Sequence, residues 1–101
     1  MPPAVLAQVL STIKDCTSLV ELDLTGNEFG DAGEPLLQQL SEYLTEAESL
    51  QKCSLKNQTG AQPFTVSFTD GDASIQDREI KICPRNPAML VEHGWDEEES
   101  D

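Results

Sequence analysis

Positive charge is scarce in this sequence: 6 Lys and Arg stand against 19 Asp and Glu, a formal net charge of -13. Such a chain repels nucleic acid phosphates and anionic membranes, so neither is expected as a partner. A protein with a basic surface is the natural one. Long apolar runs are missing as well, and none approaches the roughly 20 residues that span a membrane. The opening "MPPAVLAQVLSTIKDC" has no positive charge ahead of its apolar residues and does not read as a signal peptide. The three cysteines, Cys16, Cys53 and Cys83, are odd in number and widely spaced. That argues against a disulfide framework and for reduced thiols in the cytoplasm, with the nucleus as an alternative. No CxxC pair, Gly-rich phosphate loop or zinc spacing occurs. The single histidine, His93, has no nucleophile or carboxylate pattern of catalytic type around it and reads as solvated. No enzyme activity, cofactor or metal is expected.

What the chain does contain is an internal repeat. At an offset of 31, Val5 falls on Leu36, Leu6 on Leu37, Val9 on Leu40, Ile13 on Leu44 and Cys16 on Ala47. The register continues with Leu19 on Leu50, Leu22 on Cys53 and Leu24 on Leu55. A fixed period of about 20 to 50 residues is the signature of stacked repeats. Each copy opens with helical spacing: Val5, Leu6, Val9, Leu10, Ile13 and Cys16, then Leu36, Leu37, Leu40, Leu44 and Ala47. Asp31 and Glu34 suggest a capping box, and Pro35 suits a first helical turn. Each copy closes with a short strand in which Leu22 and Leu24 alternate. Asn27 follows, with an amide that can satisfy backbone groups left open by a bending loop. Leu24 and Leu55 should be buried on adjacent parallel strands with Leu40 beneath them, and Cys16 and Cys53 should be inert core thiols.

The stretches "LVELDLTGNEFGDAG" and "LQKCSL", with "LLQQLSEYL" between them, resemble leucine-rich repeats of the ribonuclease-inhibitor-like subtype. The resemblance covers about residues 4 to 58. It implies an α/β fold: a short leucine-rich-repeat solenoid, helix-strand-helix-strand, with parallel strands inside and helices outside. The second copy departs from it at Gln58, which stands where Asn27 predicts an asparagine, with Asn57 one position early. That suggests an irregular loop. The chain opens on a helix, and repeat units bury their faces only by stacking. The expectation is therefore the C-terminal part of a longer repeat protein.

Beyond residue 58 the period fails. Phe64, Val66 and Phe68 alternate, as do Ile80 and Ile82, on either side of "TDGDASIQD". The spacing predicts an antiparallel β-hairpin from 64–68 and 78–83 that caps the repeats. The expected domains are repeats over 1–58, an irregular cap with its hairpin over 59–86, and an acidic tail over 87–101, disordered by composition. Asp70, Asp72 and Ser74 hint at a calcium loop, but Ile75 and Lys81 stand where that loop needs glycine and a bidentate acid, so a turn is the reading. The sequon "NQT" at Asn57 should stay unmodified without export.

Two groups of residues are candidates for binding. The first is the outward face of the strands: Glu21, Asp23 and Thr25 in one, Lys52, Ser54 and Lys56 in the next. In-register stacking puts Glu21 beside Lys52 and Thr25 beside Lys56, about 4.8 Å apart. The resemblance implies that this face holds partners; the plainer reading is solvated charges that pair along the sheet. The second is Trp95 with Asp96, Glu97, Glu98 and Glu99, which resembles the tryptophan-acidic peptides that kinesin light chains recognise. There the indole fills a pocket and the acids meet a basic groove. His93 and Gly94 depart from that pattern, and the alternative is an indole folded back onto the hairpin. The expected function is a non-enzymatic protein–protein interaction module, a scaffold or regulatory binder. The alternatives are part of a Ran GTPase-activating-type protein or the end of a nucleotide-binding, leucine-rich-repeat immune receptor. The first needs a loop arginine that only Arg78 or Arg85 could supply; the second needs a P-loop upstream.

Overall fold

A computed structural model of the chain describes residues 2–16 and 18–95. Helix α1, Pro3–Ile13, begins on proline and ends in a turn that Lys14 closes. Strand β1, Glu21–Asp23, leads through a 3-10 turn at Phe29–Asp31 into helix α2, Glu34–Glu46. Then come β2 (Lys52–Gln58), β3 (Thr65–Phe68), β4 (Ser74–Gln76), β5 (Glu79–Ile82) and β6 (Leu90–Trp95).

The strands form two sheets of three, ordered β1-β2-β6 and β3-β5-β4. In the first sheet all strands are parallel. Leu22, Cys53 and Val91 stand in one cross-strand row, and all three are buried. Leu24, Leu55 and Leu40 are buried with them, the first just past the end of β1. Behind this sheet, α1 contributes Leu6 and Leu10 and α2 contributes Leu36, Leu37, Leu40 and Leu44 to one continuous core. The second sheet is mixed and packs on α2. There Ser41, fully buried, donates its hydroxyl to the carbonyl of Lys81 at 2.8 Å.

This architecture overturns the expected solenoid with a hairpin cap. The described residues form a small compact α/β domain of two helices and two sheets. From β1 to β2 the path runs through a helix and the row advances 31 residues, Leu22 to Cys53. From β2 to β6 it runs through the whole second sheet and advances from Cys53 to Val91. No further helix continues a stack among the described residues, because β4 and β5 occupy the flank of α2. The radius of gyration is 12.9 Å, the value of a globular domain of about 100 residues.

The expected hairpin is also corrected. β3 and β5 run parallel, with Val66 opposite Ile80. The connection between them holds β4, so the chain reverses twice. The actual hairpin joins β4 to β5 through Asp77 and Arg78, both at positive φ (51° and 58°). A two-residue turn with both central residues left-handed matches the twist of the flanking strands. The capping box does not form either: Gly33 is the N-cap of α2, without a side-chain bond. The Asp31 carboxylate instead accepts from the backbone of Ala61 at 3.0 Å. Cys16 is exposed, because α1 ends before it; only Cys53 is the expected core thiol. Residues 90–95, assigned by composition to the tail, are β6. The acidic remainder, 96–101, lies outside the described residues.

Two local features lock the loops beside the sheet. Gly30 and Gly60 cross backbone to backbone, and a Cβ at Gly60 would stand 2.4 Å from Gly30. Asn27 and Gln58, both buried, donate their amides to the same carbonyl, that of Leu24, each at 2.6 Å. One carbonyl oxygen has two lone pairs and accepts both. Gln58 takes this place through a bulge between Leu55 and Gln58, with Asn57 at φ 55°.

Candidate functional site

Alternation along the parallel strands sends Leu22, Cys53 and Val91 inward and their neighbours outward. The outer face therefore has two registered rows. Glu21, Lys52 and Leu90 form one; Asp23, Ser54 and Glu92 form the other. Six of the candidate residues, Glu21, Asp23, Thr25, Lys52, Ser54 and Lys56, come together here, with Glu21 opposite Lys52 as the spacing suggests. Leu90 and Glu92 extend the face by a third strand. Alternation of Met89 and Val91, both buried, was the signal in the sequence that could have found that strand.

Specific bonds fix the polar groups. Thr25 and Ser54 share a hydroxyl–hydroxyl bond of 2.8 Å, and the Thr25 amide donates to Asp23 Oδ1 at 3.0 Å. Thr25 thus bonds Ser54, and Lys56 reaches across to β6, where its Nζ lies 2.6 Å from Glu92 Oε2. Hydrogen bonds from Thr25 hold the Asp23 carboxyl below the usual carboxylate range, with Lys52 and Lys56 adding to the effect. The bond from Lys56 does the same for Glu92. Both acids are charged at neutral pH. Leu90, 53% exposed, is the apolar member of the face.

Trp95 ends β6 half-buried. Its indole N–H donates to the Phe64 carbonyl at 3.3 Å, and its ring meets Phe64 edge-on at 5.3 Å between centroids. Phe64 in turn meets Phe29 edge-on at 6.0 Å. The indole is thus engaged within the domain. Asp96, Glu97, Glu98 and Glu99, the other members of that candidate peptide, lie outside the described residues.

Elsewhere the arrangement is structural. Arg78 donates to four backbone carbonyls, those of Gly30, Ala32, Gln62 and Pro63, at 2.8 to 3.3 Å. Sequence reading missed this role, since nothing local marks an arginine as a loop clamp. Arg85 pairs with Glu48 at 3.0 Å on the surface. His93 is exposed on β6. Among the described residues no group of three His, Cys, Asp or Glu side chains could hold a metal ion, and no helix is long and apolar enough to cross a membrane. No family model, curated protein or solved structure matches the chain.

Proposed function

We propose that this chain is a non-enzymatic protein–protein interaction module that binds a partner with a basic surface through the outer face of its parallel sheet. The observation behind this reading is the ordered polar face of β1, β2 and β6. Its acids Asp23 and Glu92 stay ionised, and Leu90 stands among them as an apolar contact. Rigid strands hold these side chains in register, so little conformational freedom is lost when a partner covers them. The net charge of -13 steers a basic partner toward the chain and repels an acidic one. The bonding of Arg78 to backbone carbonyls weighs against its service as a catalytic arginine. Three free cysteines suit the cytoplasm or nucleus.

The test compares proteins enriched from cell extract by the intact chain and by a Glu21→Arg/Asp23→Arg variant of equal melting temperature. Basic proteins should dominate the wild-type set, should leave the variant, and should elute as salt rises. An identical set on both baits contradicts the reading.

A further inference from the structure

The two helices end together. α1 stops at Ile13 and α2 at Glu46, just before the segments that enter β1 and β2. Between these ends lies an open cavity of about 550 Å³, within the roughly 300–1,000 Å³ range of small-ligand sites. Its walls include Leu10 and Leu50, both buried, and the half-buried Leu19. Tyr43, nine-tenths buried, also lines it, and the hydroxyl of Tyr43 has no hydrogen-bond partner among the described residues.

The charge around this cavity is unbalanced. A helix C-terminus carries about half a negative charge and favours cations. Yet neither helix has a basic residue in its last turn. α2 instead ends on Glu46 and carries Glu42 one turn before it, both exposed and both on the cavity wall, with Glu42 accepting a long 3.5 Å hydrogen bond from Gln38. Glu48 is neutralised by Arg85. Lys14, also on the wall, forms no ion pair among the described residues. Two carboxylates and two negative helix ends thus face one lysine over an apolar floor.

We propose that this cavity binds an alkylammonium group, a primary amine at the end of a methylene chain. The methylenes pack on Leu10, Leu19 and Leu50. The ammonium meets Glu42, Glu46 and the helix ends, with the Tyr43 hydroxyl free to accept a hydrogen bond from it. The site is separate from the sheet face and does not depend on that face binding a protein. Such an amine belongs either to a free polyamine or to a lysine side chain of a partner.

Tyr43 is the single tyrosine, so the full chain labelled with 3-fluorotyrosine gives one fluorine resonance, at this cavity. Spermidine and N-acetyl-lysine-methylamide are the probes. A saturable shift with either supports the site. Saturation by spermidine alone assigns it to free polyamines; saturation by the lysine amide assigns it to side chains. In Glu42→Gln/Glu46→Gln, half-saturation should move up about tenfold. That variant should fold at least as stably without ligand, since its acids oppose the helix dipole. Three results overturn the proposal: no saturation by about 10 mM of either probe, an equal shift from sodium chloride at matched ionic strength, or unchanged half-saturation in the variant.

Discussion

Cys53 shows how one position converts a repeat pattern into a titration. Its thiol sits in the row between Leu22 and Val91 with no exposure, and burial pushes its pKa from 9.0 to about 12. The folded chain thus holds this proton where the unfolded chain releases it. Stability from this group is fully present below pH 9 and is lost as pH rises from about 9 toward 12. The expected slope is up to about 1.4 kcal/mol per pH unit. Denaturant unfolding of wild type and Cys53→Ala across that window checks it, because the steeper decline should disappear in the variant. Cys16, exposed, should react with iodoacetamide in the native state while Cys53 reacts only on unfolding. At Trp95 the bond and ring contact to Phe64 predict blue-shifted, quencher-protected emission from the single tryptophan. Emission typical of a solvated indole would remove Trp95 from the fold.

Among the elements, the β4–β5 hairpin depends on a residue chosen against local preference. Arginine at positive φ is strained by roughly 1 kcal/mol, and its guanidinium offsets this by tying the hairpin to the loops at 30–32 and 62–63. Arg78→Ala should lose about 2–4 kcal/mol, because carbonyls bonded to a charged donor are left to water or to nothing. Arg78→Gly should lose about 1 kcal/mol less, since glycine removes the backbone strain. Equal losses measured by urea unfolding would show that the positive φ is not retained. These elements also show what a sequence can and cannot disclose. The 31-residue offset made α1, β1, α2 and β2 legible, with the Glu21–Lys52 register, because Leu6 and Leu37, Leu22 and Cys53, and Leu24 and Leu55 are buried in both copies, although Val5 is exposed where Leu36 is buried. β3 and β5 were legible as strands, whereas β4 lies in the stretch "TDGDASIQD", whose composition reads as a turn. Alternation at Val66 and Ile80 gives no sign of strand direction, and parallel pairing was set by a connection that contains a third strand. β6 was hidden because it is an edge strand with a single buried residue, Val91, followed by Glu92 and the exposed His93.

At the scale of the whole molecule, two sheets and two helices share one core, and β6 closes the sheet whose outer face is offered to a partner. Without β6 the face loses Leu90 and Glu92, Lys56 loses its ion pair, and Cys53 gains an open flank. The fold and the function proposed for it both require that residues 90–95 lie parallel to β2. The most direct measurement is a nuclear Overhauser spectrum of the isotope-labelled full chain. The register predicts cross-peaks between Cys53 and Val91, and a protected Leu90 amide bonded to the Gln51 carbonyl, which lies 2.9 Å away. Random-coil shifts and unprotected amides across 90–95 would contradict it, leaving a two-stranded sheet and no binding face of the kind described.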